Sequence, residues 1–318
     1  MNIFLAPVGL SLLLCASGVS AQWQKVYPQT PQSGRWAAVT KIPGGSWMIV
    51  GDGMVLRSSD LQSFETATIT PGINWAGVAV ARRLTGYAVV FTGGSSIGIS
   101  DSNSPDGFAI GTLPFSANSA GGIACNNEPI GGSCVIAAGS QIIYGSLDTL
   151  AVRTANISNH SANFQDGEFF ITGYGGGVSR WAGGLWTDAS ASFADVYNVV
   201  RGPDGAGGQH YVTIGDAGAV GVSSDFQQWS TTQPLGLFYA KSVIRAEGRY
   251  VAVGAFLPIS VNQIAESDDG VAWTTSDVFP GATWLWDVQY FDGTYVAVGD
   301  NREIWIKRTD ALFANGFE

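Results

Sequence analysis

Three aspartates each follow a glycine at the end of a strand-like run: Asp52, Asp216 and Asp300. A pair of carboxylates across a cleft can perform acid–base chemistry on a glycosidic bond if burial raises the pKa of one of them. Asp52 and Asp300 belong to the first and last of seven similar segments, which are neighbours if the segments form a ring. We therefore predict this pair as catalytic candidates. The alternative is that Gly-Asp is only favourable turn chemistry.

Aromatic residues recur near the start of each segment. The aligned positions are Trp36, Trp75, Ser119, Ser161, Tyr197, Tyr239 and Trp286. Flat rings stack on the apolar faces of sugars, while polar neighbours fix the orientation of the sugar. We predict as ligand-binding residues Trp36, Trp75, Tyr197, Tyr239, Trp286 and Arg35. The alternative is that these rings are wedged between neighbouring segments as ordinary core.

Further polar residues are expected on the same face. They are His160, Asp195, Asp216, Asp287 and Glu303. A Tyr or His beside carboxylates would suit β-elimination by a polysaccharide lyase, with His160 or Tyr197 as the base.

A repeating unit must position these groups. It recurs seven times at intervals of about forty residues. The second apolar run of each copy ends at Gly51, Gly93, Gly139, Gly173, Gly215, Gly254 and Gly299. The runs are short and rich in β-branched and aromatic residues, and no long stretch shows helical periodicity. The pattern predicts an all-β fold, a seven-bladed β-propeller of four-stranded blades.

Five copies also carry Ser-x-Asp, with a large apolar residue four positions after the aspartate. The motifs span 58–60, 104–106, 146–148, 223–225 and 267–269. Short Ser and Asp side chains bond backbone amides within a turn. The turn between the third and fourth strands of a blade lies opposite the ligand face. We therefore predict these aspartates as folding elements and not as catalysts.

These repeats resemble the Asp-box, or bacterial-neuraminidase, repeat in a shortened form. Residues 250–275, YVAVGAFLPISVNQIAESDDGVAWTT, match it well. The resemblance implies a sialidase-like propeller over nearly the whole mature chain. It implies no particular activity, because Asp boxes also occur in other glycosidases, in assembly factors and in uncharacterised secreted proteins. The sialidase catalytic set is missing, since only Arg35 of the arginines falls on the expected face. The fourth copy, Ser179-Arg180-Trp181, lacks the aspartate.

The last copy has three strands, and the start of the mature chain resembles the missing fourth one. We predict that the N-terminus supplies the outer strand of the seventh blade and closes the ring, with Trp23 in the place of Trp229 and Trp273. Such closure removes open sheet edges. The alternative is a disordered N-terminus.

Residues 1–21 have the pattern of a secretory signal peptide, with an apolar run from Ile3 to Leu14 and a small-x-small cleavage site at Val19–Ala21. The run is too short to span a bilayer. We predict a secreted protein, periplasmic or extracellular, with one propeller domain at 22–310 and a C-terminal tail at 311–318. The tail resembles short Gly-Phe-Glu tails of secreted proteins, and its role stays open.

The net charge is −10, and charged residues make up only 13% of the chain. This balance argues against nucleic acid or an anionic membrane as partner. After signal removal two cysteines remain, and Cys125 and Cys134 are predicted to form a disulfide in an oxidising compartment. No tetrahedral metal site is expected. The segment 101–107 resembles a calcium loop with one residue too many, so calcium is the one candidate cofactor.

We therefore expect a monomeric binding module for an extracellular glycan or protein. The first alternative is a carbohydrate-active enzyme, a glycoside hydrolase or polysaccharide lyase that uses the channel face. The second is a periplasmic assembly factor.

Overall fold

The computed structural model describes residues 22–27, 32–68, 72–83, 86–100, 108–113, 120–126, 132–193, 195–257, 261–279 and 284–309. The predicted signal peptide, the C-terminal tail, the calcium-like segment and Ser119 lie outside the described residues. Within the described ranges no helix is long and apolar enough to cross a membrane.

The strands are numbered along the chain. The first nine are β1 (Gln24–Tyr27), β2 (Trp36–Lys41), β3 (Trp47–Gly51), β4 (Met54–Ser58), β5 (Glu65–Thr68), β6 (Gly77–Arg83), β7 (Gly86–Gly93), β8 (Ser96–Ser100) and β9 (Phe108–Thr112). Then follow β10 (Ala120–Cys125), β11 (Ser133–Ser146), β12 (Thr149–Gln165), β13 (Glu168–Gly173), β14 (Gly177–Ala182), β15 (Leu185–Ser190), β16 (Val196–Pro203) and β17 (Gln209–Gly215). A 3₁₀ turn (Asp216–Gly218) precedes β18 (Val220–Ser223), β19 (Ser230–Thr232), β20 (Phe238–Ala246), β21 (Arg249–Phe256), β22 (Val261–Ser267), β23 (Thr274–Phe279), β24 (Leu285–Phe291), β25 (Thr294–Gly299) and β26 (Ile304–Arg308).

These strands form six antiparallel sheets in the described part of the chain. Five have four strands, in the orders β2-β3-β4-β5, β6-β7-β8-β9, β16-β17-β18-β19, β20-β21-β22-β23 and β24-β25-β26-β1, and the sixth runs from β10 to β15. The sixth sheet is larger because β12 pairs with β11 along its first part and with β13 along its second, with Asn159 at the junction. The all-β prediction is confirmed.

The sheets follow one another in a fixed spatial order. First strands contact in the sequence β2, β6, β10, β12, β16, β20 and β24, and β24 contacts β2 in turn. Apolar side chains pack between neighbouring sheets; for example, Trp36 packs with Val296 and Val298. The first strands therefore lie around a common centre.

The glycines that end the second strands are explained by close backbone approach. A Cβ at Gly51 would lie 2.0 Å from the carbonyl oxygen of Arg35, and one at Gly254 would lie 2.0 Å from that of Tyr239. The same clash, at 2.1–2.3 Å, occurs at Gly93, Gly173, Gly215 and Gly299. Only glycine permits this contact between first and second strands.

Three Ser-x-Asp turns have the same hydrogen bonds. In the turn at 267–272, Asp269 Oδ1 accepts bonds from the Ser267 hydroxyl at 3.0 Å and from the amides of Val271 and Ala272 at 2.8 Å. The turns after Ser58 and Ser223 repeat this pattern. The motif at 146–148 instead belongs to a tight hairpin, and the motif at 104–106 lies outside the described residues.

The N-terminal strand β1 pairs antiparallel with β26. Trp23 is 9% exposed, and its ring lies 6.0 Å from that of Tyr295. Tyr27 packs against Trp36 and Phe64 of the first sheet. The segment thus contacts both the last and the first sheet.

The predicted disulfide between Cys125 and Cys134 is confirmed. The two residues face each other on β10 and β11, and both are buried in an apolar cluster.

Candidate functional site

Six first strands carry a β-bulge near their start; in β10 it lies between Ala120 and Ile123, and in the other five a single residue is left out of the pairing. The pairing with the second strand shifts by one residue at Ala37, His160, Tyr197, Lys241 and Trp286. A bulge leaves one residue unpaired and re-aims its side chain. All five bulge residues line the same central cavity. The bulges are therefore the devices that place side chains in this cavity.

The cavity has a volume of about 340 Å³ and two different walls. One wall includes small residues of β2, β6 and β10, such as Ala37, Gly77 and Gly121. The opposite wall carries the larger His160, Tyr197, Lys241 and Trp286. The cavity is therefore lined by small residues on one side and by large rings and an ammonium group on the other.

The large wall continues into two groups of rings, which together we call the aromatic crescent. It consists of Tyr174, His160, Tyr197, Trp284 and Trp286. The His160 ring lies 4.7 Å from Tyr174 and 4.8 Å from Tyr197, and Trp284 stacks on Trp286 at 5.8 Å. Tyr174 is 51% exposed, so one end of the crescent is open to solvent.

Lys241 joins the two halves of the crescent. Its Nζ lies 3.7 Å from the centre of the Tyr197 ring and 5.1 Å from that of Trp284. The side chain is only 10% exposed, and Nζ lies 3.5 Å from Asp216 Oδ1. Burial lowers the pKa of Lys241, and the attraction to Asp216 opposes this shift in part.

Asp195 and Asp216 lie side by side behind Lys241. Burial raises the pKa of Asp195, and both the charge of Asp216 and a hydrogen bond to it raise that pKa further. Two carboxyl groups in contact favour a shared proton. A pair this close leaves no room for a sugar between its members.

His160 and Tyr197 are both buried in forms that resist ionisation. Burial and, as a second cause, the nearby charge of Lys241 together lower the pKa of His160 to about 4. Its Nε2 is buried without a hydrogen-bond partner in the described part of the chain. Burial also raises the pKa of Tyr197, and the negative charges of Asp216 and Asp195 raise it further. At neutral pH the imidazole is therefore uncharged and the phenol keeps its proton.

Asp287 also lines the cavity. It accepts hydrogen bonds from Val39 N at 3.0 Å, Ser242 Oγ at 2.9 Å, Val288 N at 2.8 Å and Gln289 Nε2 at 3.4 Å. Burial raises its pKa to about 6, against the effect of these donors. The carboxyl thus ties β2, β20 and β24 together, and its oxygens are already used within the protein.

The predicted pair Asp52 and Asp300 lies on either side of Arg35. Asp52 Oδ1 is 3.6 Å from Arg35 Nε, and its Oδ2 accepts a bond from the Arg35 amide. Asp300 forms an isolated antiparallel β-bridge with Arg35, and its Oδ1 accepts a hydrogen bond from the Trp286 indole at 2.7 Å. The structure thus brings the pair to one region, where each aspartate holds a cavity-lining side chain. Their catalytic role stays a prediction.

Of the predicted ligand-binding residues, Arg35, Tyr197 and Trp286 line the cavity. Tyr239 packs edge-on against Trp284 at 6.3 Å, behind the crescent. Glu303, also expected on this face, is instead buried and paired with Lys25 at 2.8 Å.

The expected roles of Trp36 and Trp75 require a correction. Both side chains are 0% exposed, so neither can stack on a ligand. The reason is the bulge: Trp36 pairs with Gly51, as Val196 pairs with Gly215. The residue that faces the cavity is the next one, Ala37 in the first strand. The alternative interpretation, rings wedged between sheets, holds for these two tryptophans.

Three residues at the site were not predicted from the sequence: Lys241, Trp284 and Tyr174. The signal that finds Lys241 is its position immediately after the residue that pairs with a strand-end glycine, here Ala240 opposite Gly254. Tyr174 directly follows another such glycine, Gly173. Within the described residues no group of three or more His, Cys, Asp or Glu side chains is placed to hold a metal ion.

Comparison with known proteins adds the fold class. No protein-family model and no curated protein sequence matches this chain. Among solved structures, virginiamycin B lyase from Staphylococcus aureus is 12% identical with a TM-score of 0.73, covering 90% of this chain and 99% of that one. The WD40 β-propeller domain of Doa1 is 14% identical with a TM-score of 0.67, covering 92% and 98%.

Ycf48 from Cyanidioschyzon merolae is 13% identical with a TM-score of 0.65, covering 92% of this chain and all of that one. At such low identity the likeness concerns the fold alone. The chain has the fold of a β-propeller.

Proposed function

We propose that this chain is a secreted, seven-bladed Asp-box propeller that binds an extracellular glycan in the cleft beneath the aromatic crescent. The observation that carries the proposal is the crescent itself. It places five rings beside a cavity of about 340 Å³, with Arg35 and Lys241 as polar groups at its edge. Rings with adjacent hydrogen-bonding groups recognise the apolar and polar faces of a sugar.

The long strands β11 and β12 can each be divided into two consecutive blade strands. The six-stranded sheet then forms two blades, and seven first strands surround the centre. The pairing of β1 with β26 supports closure of the ring by the N-terminal strand. The three equivalent Ser-x-Asp turns support the Asp-box assignment. The disulfide is consistent with an oxidising compartment, and a signal peptide at 1–21 would direct the chain there.

Binding is favoured over catalysis by the state of the candidate bases. A general base must reach the proton that it abstracts, and its pKa should lie near the working pH. His160 has a pKa of about 4 and a buried Nε2, and Tyr197 retains its proton. Asp52 and Asp300 are engaged with Arg35 and Trp286. Elimination is still the second candidate, because a structural neighbour is named as a lyase.

A panel of soluble and insoluble polysaccharides tests the proposal with residues 22–318. We compare the wild type with Tyr174→Ala, which removes the exposed end of the crescent, and with Leu185→Ala as matched control. Leu185 is 75% exposed and lies outside the crescent. Tyr174→Ala should weaken retention about tenfold, because a stacking ring contributes ~1 kcal/mol or more. Leu185→Ala should bind like the wild type.

Mass spectrometry of the supernatants separates binding from catalysis. Retention without new oligosaccharides supports the binding module. If oligosaccharides are released and their release is lost in Asp52→Asn or Asp300→Asn, the protein is an enzyme and not a binding module. A product mass lower by one water than that of the hydrolysis product would identify a lyase. Absence of both retention and products would overturn the glycan assignment and favour a protein partner.

A further inference from the structure

The Lys241 ammonium lies in an aromatic cage. The centres of the Tyr197, Trp284 and Trp286 rings lie 3.7, 5.1 and 5.9 Å from Nζ. Asp216 Oδ1 completes the surroundings at 3.5 Å. Such a set of ring faces with a carboxylate is how proteins recognise ammonium groups of ligands. Here a side chain of the protein itself fills the cage.

Lys241 is weakly held for so buried an ammonium. An ammonium has three donors. Within the described residues its hydrogen-bonding partner is Asp216, at the long distance of 3.5 Å, although the side chain is only 10% exposed. Lys241 also lines the cavity, so its flexible stem has space into which the ammonium can move. Movement of the Lys241 side chain into the cavity would therefore empty the cage and connect it to the cavity.

The local charge favours a cationic occupant. Asp195 and Asp216 stand behind the cage, and Asp52 and Asp300 lie at the far side of Trp286. Against these, the nearby cations are Arg35 and Lys241 itself. The whole chain carries −10. If Lys241 leaves the cage, the vacated volume is an aromatic, negatively charged site next to the cavity.

We propose that Tyr197, Trp284, Trp286 and Asp216 form a binding site for a ligand ammonium group, and that Lys241 is its tethered competitor in the ligand-free protein. Resting on the proposed glycan function, the ligand class is an amino sugar with a free amine. The sugar ring would stack on the crescent while its ammonium displaces Lys241 into the cleft.

Tetramethylammonium chloride tests the cage without any glycan. Tryptophan fluorescence titration compares the wild type with Lys241→Ala, which empties the cage, and with Lys241→Met, which keeps it filled by an uncharged chain of similar length. Lys241→Ala should bind the probe about tenfold more tightly than the wild type. Lys241→Met should bind it no better than the wild type. Equal affinity in Lys241→Ala and Lys241→Met would overturn the cage.

A second measurement uses the unmodified protein, so that it does not depend on the folding of a variant. An amine-acetylating reagent is added in a brief pulse, far below the total amine concentration, so that the ligand amines stay almost unmodified. The rate at which Lys241 is modified is followed by peptide mass spectrometry, relative to Lys41 and Lys307 as internal references. A β-1,4-linked glucosamine hexamer should accelerate acetylation of Lys241 severalfold, and the N-acetylated hexamer should not.

The outcomes separate the two proposals. Retention of the N-acetylated hexamer with no preference for free amines would leave the glycan function standing and overturn the ammonium site. Cage binding of tetramethylammonium without retention of either hexamer would remove the glycan function. Acceleration by a lysine-rich peptide and not by the glucosamine hexamer would overturn the amino-sugar assignment in favour of a protein amine.

Discussion

Two residues that line the cavity, His160 and Asp287, have pKa values that burial shifts so that each favours its neutral form. Their pKa values are about 4 and about 6, against ordinary values of 6.5 and 3.8. As the pH falls from 6.5 towards 4, the unfolded chain protonates His160 and the folded protein does not, so stability is lost. As it falls from 6 towards 3.8, the folded protein protonates Asp287 first, so stability is gained.

These two effects oppose each other in the same pH window. Each pKa shift changes the free energy of unfolding by about 3 kcal/mol across its full pH window, since one pKa unit corresponds to ~1.4 kcal/mol. We predict that His160→Gln makes the free energy of unfolding rise on going from pH 7 to 4.5, relative to the wild type. Asp287→Asn should make it fall over that range. Urea unfolding at both pH values measures the differences.

His210 provides a control for the pH experiment. Burial lowers its pKa as well, but it lies among Asp204, Asp269 and Tyr250, outside the cavity. Its titration is common to the wild type and to both variants, so it cancels from the comparison. If both variants follow the wild-type pH dependence, His160 and Asp287 have ordinary pKa values and the electrostatic description of the channel is wrong.

At the scale of elements, the Ser-x-Asp turns fix how the third strand returns to the fourth. The residue after the aspartate takes a left-handed conformation in all three described turns, with φ of 60° at Leu61, 70° at Phe226 and 72° at Gly270. Leu61 and Phe226 point into the core, and the Trp229 and Trp273 indoles bond the carbonyls of Phe226 and Gly270. Leu61 and Phe226 thus combine a strained backbone conformation with a buried side chain, whereas Gly270 takes the same conformation without strain.

We predict that Asp269→Ala lowers the free energy of unfolding by about 1–2 kcal/mol, comparable to the loss of a helix N-cap, because two amides and a hydroxyl lose their acceptor. Asp148→Ala is the matched control. Asp148 occupies the same motif position but lies in a tight hairpin where Ser146 bonds Thr149 at 2.7 Å. Urea unfolding should place the control at the wild-type value. A similar loss in both variants would contradict a special role of the turn.

At the scale of the molecule, the N-terminal strand supplies the outermost strand of the sheet formed by β24, β25 and β26. Strand β1 covers β26 and brings Trp23 and Tyr27 into the packing of the last and first sheets. Without it, β26 would present unpaired backbone groups and the apolar side chains that Trp23 and Tyr27 cover, a template for pairing with another chain.

We predict that a chain lacking residues 22–27 unfolds at a lower temperature than the full mature chain and forms oligomers. Light scattering after size-exclusion chromatography and a thermal scan measure both effects. A synthetic peptide of residues 22–28 should restore the monomer by adding the missing strand in trans. A truncated chain that stays monomeric with unchanged thermal stability would show that β1 is dispensable for closure.

Much of the fold is readable from the sequence because it depends on local or strictly periodic features. Glycines such as Gly51 and Gly254 mark where first and second strands touch, and the clash that a Cβ would cause explains why they recur. The Cys125–Cys134 pairing followed from a short spacing in a hairpin. The Ser-x-Asp turns followed from side-chain chemistry within a few residues.

The candidate site could not be read in the same way. In a regular strand alternate residues face the same side, but one bulge reverses the side chains that follow. The bulge at Ala37 therefore leaves Trp36 in the core, whereas those at Tyr197 and Trp286 turn aromatic rings into the cavity. Nothing in the spacing of the tryptophans reveals this difference.

The sequence by itself thus determined an all-β repeat protein, its strand-end glycines, its turns and its disulfide, because each depends on near neighbours in the chain. Only the tertiary structure decided which side chains meet. Lys241 and the rings of its cage come from segments some 40 residues apart. Their contact depends on the relative placement of separate sheets around the channel, which no local pattern encodes.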